Sequence, residues 1–180
     1  LSRAGRRSRC REGALPNELL LLAALLWVAG GVLALTGRGI AVARALLGLG
    51  ALAGIAAAVA ALPAGTRPVI LPFSMAGEHF AFRIAPEGLW LMGFGLAPAA
   101  CACWLASPVR AGRAGWLVGA ALSLLGALGV FGLQNAGGLL IAWEIMSFGG
   151  AVMLLYERVC AAPGRPVLFM LGLLEVGAVA

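Results

Sequence analysis

The chain has 180 residues, of which 62% are hydrophobic and 11% charged, and its mean hydropathy is +1.01. This composition excludes a soluble domain and is typical of a bundle of membrane helices. All thirteen basic residues are arginines, and beyond an N-terminal cluster they lie in or beside short gaps between apolar runs. Arginines so placed are expected to face the bilayer surface, so the net charge of +6 does not indicate nucleic acid as a partner.

Residues 1–18 form a basic N-terminal tail that holds five of the arginines. The tail and the apolar run behind it resemble a secretion signal in charge and length. A secretion signal would be followed by a polar mature domain. None follows here, because the second apolar run starts directly after the first. We therefore interpret the first apolar run as a membrane span.

Six apolar segments follow this tail, and each is separated from the next by a break rich in Gly, Pro, Arg or polar residues. About 20 apolar residues in a helix match the thickness of the hydrocarbon layer. We therefore predict an all-α fold, a polytopic transmembrane helix bundle of about six helices that occupies residues 19–180. The predicted spans cover approximately residues 19–36, 40–62, 87–106, 114–132, 136–156 and 166–180.

The longest connection, residues 63–86, differs from the others in having β-type sequence. Val69–Phe73 and His79–Ile84 are two short β-like runs, and turn-type residues lie between them. Apolar residues alternate along the second run at Phe80, Phe82 and Ile84. This pattern predicts a short β-hairpin on the membrane surface between helices 2 and 3. Because two connected spans return the chain to its starting side, the hairpin should lie on the same side as the N-terminus.

Arginine placement favours an orientation with the N-terminus outside. In that orientation the inner connections carry six arginines and the hairpin connection carries two, if the five in the tail are left out.

Small residues are dense in the second segment and predict close contact between helices: Gly48, Gly50 and Gly54. Three tryptophans are assigned to span ends, as in an interfacial aromatic belt: Trp27, Trp90 and Trp116.

The sequence contains no motif for a catalytic, cofactor or metal site. HExxH, CxxC, GxSxG and nucleotide-loop patterns are all missing, and the single histidine, His79, lies in the long connection. Cys101 and Cys103 are two residues apart and would point about 200° apart on a helix, which argues against a shared metal. We expect no catalytic residue, no cofactor and no metal in this chain.

Glu144 is the most informative residue, since it is the one charged residue between Arg113 and Glu157. It lies in the middle of the fifth segment, where a carboxylate would be near the bilayer midplane at a cost of roughly 2.5–3.5 kcal/mol. Such an acid is a candidate proton or ion relay, and the alternative role is to join helices through hydrogen bonds. Surrounding hydrocarbon favours the neutral form of a carboxyl group, and a nearby cation favours its charged form. A carboxyl group on which these two effects nearly balance can take up and release a proton.

Neighbours of Glu144 on the helix refine this hypothesis. Ser147 shares its face and is predicted to hydrogen-bond the carboxyl group, while Gly137 and Ala151 leave room for another helix or for water. We therefore predict that Glu144 faces protein rather than lipid.

Glu175, about nine residues into the sixth segment, is a second candidate proton station. Two polar residues precede the fifth span and are predicted to cap it or to line a polar entrance: Gln134 and Asn135.

The stretch from Gln134 to Phe148 resembles the fifth helix of the antiporter-like subunits of respiratory complex I, Mrp cation/proton antiporters and membrane-bound hydrogenases. That family carries an Asn a few residues before an aromatic-Glu-x-Met/Leu-Ser motif. The motif is matched by Trp143, Glu144, Met146 and Ser147. The nearest branch is that of hydrogenase-4 component B and formate hydrogenlyase subunit 3. One departure is Ala85-Pro86 at the start of the third span, where the family often has Asp-Pro.

The resemblance implies a proton-translocating subunit of an oxidoreductase complex, such as NADH-quinone oxidoreductase, or of a cation/proton antiporter. It implies other membrane subunits as partners and the inner membrane of a bacterium as the location. The family's seventh-helix Lys, which pairs with the fifth-helix Glu, would lie beyond residue 180. The chain is thus expected to be an N-terminal portion, about six helices of fourteen or so. A non-conducting accessory or scaffold protein, with Glu144 joining helices, is the alternative.

Overall fold

The computed structural model of the chain describes residues 15–37, 39–62, 65–75, 77–105, 113–156, 167–169 and 171–172. Within these ranges five helices of 19–22 residues are long and apolar enough to cross a membrane. They are α1 (Leu15–Leu35), α2 (Ile40–Ala61), α3 (Pro86–Leu105), α4 (Ala114–Gly132) and α5 (Ala136–Leu155). A sixth helical stretch follows at residues 167–169 and 171–172. The predicted fold is confirmed, and the chain is a multi-pass membrane protein in a lipid bilayer.

Observed helix boundaries agree with the predicted spans to within one residue in α2–α5. The exception is α1, which begins at Leu15 rather than near residue 19. Pro16 is the second residue of this helix, a position where the fixed φ of proline suits the first turn and its missing N–H is not needed. Residues 15–18, assigned by sequence to the basic tail, are therefore helical.

The connection between α2 and α3 forms the predicted hairpin. Strands β1 (Val69–Met75) and β2 (Glu78–Phe82) pair antiparallel, with a register irregularity between Ile70 and Ser74. Gly77 in the turn has φ of +84°, a left-handed conformation that glycine adopts without strain. The alternation along the second run is also confirmed: Phe80 and Ile84 are buried and Phe82 is half-buried.

The hairpin is attached to the end of the bundle by main-chain hydrogen bonds. The Arg83 N–H donates to the Gly132 carbonyl at 2.7 Å, and the Gln134 N–H donates to the Ala81 carbonyl at 3.0 Å. The connection between α4 and α5 thereby pairs with the last residues of β2. At the start of α1, Asn17 Nδ2 donates to the Arg67 carbonyl at 3.1 Å and Asn17 Oδ1 accepts from the Arg67 N–H at 3.2 Å. The start of α1 and the hairpin therefore lie at the same end of the bundle.

Glycines of α2 make room for large side chains from both neighbouring helices. A Cβ atom at Gly50 would lie 2.6 Å from Nε1 of Trp27 in α1, and one at Gly54 would lie 2.5 Å from Leu96 in α3. Gly48 is covered in the same way by the indole of Trp104. The prediction of close contact at these three glycines is confirmed, since a Cβ atom at any of them would overlap a side chain of a neighbouring helix.

The prediction of an interfacial aromatic belt is wrong for Trp27. This residue is fully buried in the middle of α1, where its Nε1–H donates to the Leu47 carbonyl at 3.2 Å. Trp116 is also buried (7% exposed), whereas Trp90 at the start of α3 is exposed. Trp90 and Trp116 both lie near the start of a helix, as predicted, but only Trp90 keeps part of its ring outside the helix bundle.

Two arginines bind helix C-termini at the end of the bundle opposite the hairpin. Arg44 Nε and NH2 donate to the carbonyls of Cys103 and Trp104, in the last turn of α3, at 3.0 and 3.1 Å. Arg113 NH1 donates to the Tyr156 carbonyl, directly after α5, at 2.7 Å. A cation at these positions satisfies carbonyls that have no partner within the helix and interacts favourably with the helix dipole.

Candidate intramembrane acid site

Helix α5 packs against α4 more closely than a pair of ordinary apolar helices can. A Cβ atom at Gly126 would lie 2.6 Å from the Met146 Cα, and one at Gly149 would lie 2.5 Å from the Ser123 N. The Ser123 hydroxyl also donates to the Met146 carbonyl at 3.2 Å. These contacts fix the rotation of α5, because only its face with small residues can approach the α4 backbone this closely.

That rotation turns Glu144 away from α4. With about 100° per residue, Gly138, Ala142 and Gly149 lie roughly 120–160° around the helix from Glu144, and all three are buried. Of the residues within about 60° of Glu144, three are exposed with it, namely Leu140, Ile141 and Phe148, whereas Ser147 and Ala151 toward the end of the helix are buried. The prediction that Glu144 lies in a membrane-spanning helix is confirmed. The prediction that Glu144 faces protein is not met among the described helices. The small residues that pack α5 against α4 lie on the opposite face of α5, so Glu144 is directed away from α4.

Glu144 is also without a polar partner in the part of the chain that the structure describes. No hydrogen bond or ion pair joins its carboxyl group to any of these residues. Ser147 is buried, at 8% exposure, and makes no hydrogen bond to Glu144, so the predicted pairing of these two side chains is absent. Ala151, one turn further along the same face, is buried as well. The acid is thus exposed near mid-helix and borders on buried small residues toward the end of α5.

The remaining predicted station, Glu175, lies outside the described residues. Trp143, beside Glu144 in the motif, is exposed at 37%. The two cysteines of α3 lie on different sides of the helix, since Cys101 is exposed and Cys103 is buried. Among the described residues, no group of three or more His, Cys, Asp or Glu side chains is placed to hold a metal ion.

Gln134 and Asn135 have different roles at the start of α5. Gln134 Nε2 donates to the carbonyls of Arg83 and Gly132, at 2.7 and 3.1 Å, and so connects the hairpin to the end of α4. Asn135 occupies the N-cap position of α5 but makes no capping hydrogen bond with its side chain. Its Oδ1 is buried and has no partner among the described residues. The predicted cap is therefore wrong for Asn135, and its carbonyl oxygen is left in need of a donor.

A cavity of about 450 Å³ lies between the hairpin, α4 and α5, close to Asn135. Its walls include Phe80 from β2, Gly129 from α4 and Gly138 from α5. Its lining also includes Ile141 and Ile145, which lie three residues before and one residue after Glu144. Sequence reasoning missed this cavity. The available signal was the glycine content of the facing α4 and α5 segments, which leaves space wherever no large side chain fills it.

Comparison of the chain with protein-family models, with curated proteins and with solved structures finds no match. The function of the chain is therefore inferred from its fold and from the surroundings of Glu144.

Proposed function

We propose that this chain is a proton-translocating membrane subunit, or part of one, in a complex I- or hydrogenase-type oxidoreductase or a cation/proton antiporter. Glu144 is its intramembrane proton station. The observation that carries the proposal is the position of this acid, nine residues into a 20-residue membrane helix, exposed and without a polar partner among the described residues. Placing a carboxyl group at this depth of the membrane costs free energy, and such a group is by default a candidate functional site.

Exposure of Glu144 supports a relay in which the carboxyl group interacts with an element outside the described residues. Desolvation in hydrocarbon generally disfavours the charged form of a carboxyl group. A cation brought against the exposed face would shift the same group toward ionisation and release its proton. The lysine that the family carries on its seventh helix has this chemistry. Its pairing with Glu144, like the location in a bacterial inner membrane and the other subunits, rests on the resemblance alone.

Proton access in this proposal comes from the hairpin side. Asn135 lies at that end of α5 and Glu144 is nine residues away, a rise of about 13.5 Å. The cavity between the hairpin, α4 and α5 extends along this interval as far as Ile141 and Ile145. Asn135 Oδ1, buried and without a described partner, offers a hydrogen-bond acceptor to water at the entrance. Water in the cavity would carry protons to the level of Glu144 along the helix, although the acid itself is not part of the cavity lining.

The alternative function is that of a non-conducting accessory or scaffold protein. The exposed face of α5 around Glu144 would then pack against a helix of another subunit, and the acid would only donate a hydrogen bond across that contact. Both functions place a protein element against this face of α5. They differ in whether the Glu144 carboxyl group must bind and release a proton.

Proton transport by membrane vesicles that contain the assembled complex, normalised to the amount of complex, tests the proposal. Glu144→Gln keeps the size and the hydrogen-bonding capacity but removes titration, so we expect transport to fall at least about tenfold with assembly intact. Glu144→Asp keeps a titratable group and should retain part of the activity. Glu87→Gln is the matched control, because Glu87 is an exposed acid at the start of α3 rather than at mid-helix.

Undiminished transport by a well-assembled Glu144→Gln variant would reject the relay and favour the scaffold function. Equal losses in Glu144→Gln and Glu87→Gln would also reject it, since a general loss of negative charge would then explain the effect.

A further inference from the structure

A second cavity, of about 380 Å³, lies at the hairpin end of the bundle and is lined by residues of α1, α4 and the hairpin. Leu20 and Leu128 are buried and form its floor. Its walls come from Leu21 and Ala24 of α1 and from Val69 and Leu71 of β1. We refer to it as the α1–hairpin groove. Apart from Asn17 and Glu18, the residues that line it are apolar, so water gains few hydrogen-bond partners among them.

The α1–hairpin groove is preformed and lies near the membrane surface. The two hydrogen bonds between Asn17 and the Arg67 main chain hold the start of α1 against the strand that forms the opposite wall. Leu20 and Ala24 lie within the first half of α1, and Leu128 lies within the last turns of α4. The groove therefore opens at the depth where acyl chains begin below their headgroups. Its volume falls within the usual range of ligand cavities.

Glu18 supplies a negative charge at the mouth of this groove. It lies in the first turn of α1, lines the groove and is exposed. No ion pair joins it to another described residue. An acid in the first turn also interacts favourably with the helix dipole, but that interaction needs no adjoining apolar cavity. The combination of an apolar groove and an accessible carboxylate fits a molecule with an acyl chain and a cationic headgroup.

We propose that the α1–hairpin groove binds one phospholipid whose headgroup carries a primary ammonium, with an acyl chain against Leu20 and Leu128 and the ammonium at Glu18. Charge complementarity determines this choice of occupant. A primary ammonium donates up to three hydrogen bonds to a carboxylate, whereas a trimethylated ammonium donates none and an anionic headgroup is repelled. The inference is independent of the proposed proton transport.

Native mass spectrometry of the purified, delipidated chain, titrated with phosphatidylethanolamine or phosphatidylcholine of identical acyl chains, tests the proposal. We expect the wild-type protein to bind phosphatidylethanolamine about five- to tenfold more tightly, the contribution of a charge-assisted hydrogen bond near the surface. Glu18→Gln should reduce this preference to less than about twofold while weak binding through the acyl chain persists. Glu87→Gln, a change at an acid that likewise lies in the first turn of its helix, α3, should leave the preference unchanged.

Ala24→Phe provides a second, independent variant, because a phenyl ring at this position fills the groove itself. It should weaken the binding of both lipids by about tenfold. The proposal is overturned if Glu18→Gln keeps the preference, if Glu87→Gln loses it equally, or if Ala24→Phe binds both lipids as the wild type does. In those cases the bound lipid lies elsewhere, or the groove is occupied by protein, either residues 1–14 of this chain or a second copy.

Discussion

Replacing Gly126 with alanine tests whether close packing of α4 against α5 fixes the orientation of Glu144. The new Cβ atom would lie 2.6 Å from the Met146 Cα, whereas ordinary contacts begin near 3.4 Å. The Met146 N would lie closer still, so the two helices must separate by at least about 0.8 Å, the difference between these distances, at this point. A gap of that size forfeits roughly a quarter to a half of the dispersion energy across the contact. The hydrogen bond from Ser123 to the Met146 carbonyl, now 3.2 Å, would also lengthen.

Overpacking of this kind costs about 1–3 kcal/mol, and the better helix propensity of alanine returns up to about 1 kcal/mol. We therefore expect Gly126→Ala to lower the free energy of unfolding by about 1–2 kcal/mol. Gly95→Ala is the control, since no atom lies within 4 Å of a Cβ at that helical position. It should leave stability unchanged or raise it by up to about 1 kcal/mol. Reversible unfolding in mixed micelles, followed by tryptophan fluorescence, measures both. Equal stability of the two variants would refute the packing argument.

Three further predictions concern other parts of the fold. Trp27→Phe keeps the ring but removes the indole N–H that donates to α2, and should lower the unfolding free energy by about 0.5–1.5 kcal/mol in the same assay. Arg113→Gln removes the charged donor to the Tyr156 carbonyl and should cost about 0.5–1 kcal/mol, most of which Arg113→Lys should recover; no loss in Arg113→Gln would contradict the capping role. Cysteines introduced at His79 and Thr36, with the native cysteines replaced, should react with an impermeant thiol reagent from opposite sides of the membrane. Labelling of both from one side would contradict the topology.

The number and the limits of the helices were predictable from sequence because they depend on local chemistry. Runs of about 20 apolar residues bounded by Gly, Pro, Arg or polar residues have few alternatives in a bilayer. The hairpin was predictable for the same reason, since the alternation at Phe80 and Phe82 is a local pattern. The early start of α1 was missed because Asn17 and Glu18 are polar and so fall outside the apolar run, and the contact of Asn17 with the distant Arg67 has no local signal.

Which face of each helix is buried was much harder to predict. Helix α5 is apolar all round, so no periodic pattern distinguishes the side toward α4 from the side toward lipid. The small residues near Glu144 suggested a buried acid, but Ala142 and Gly149 on the other face make the contact with α4, and Gly138 lies against Phe80 of the hairpin. Trp27 was misplaced for a similar reason, since its pocket is formed by Gly50, a residue of another helix.

The central claim, that Glu144 takes up and releases a proton during transport, is tested most directly by difference infrared spectroscopy on vesicles containing the assembled complex. The C=O stretching band of a protonated carboxyl group should disappear and return with each turnover in the wild type. In Glu144→Gln this band change should be absent, while Glu87→Gln should show it unaltered. An unchanged carboxyl band in Glu144→Gln, or its absence from an actively transporting wild type, would contradict the claim that Glu144 is the proton station.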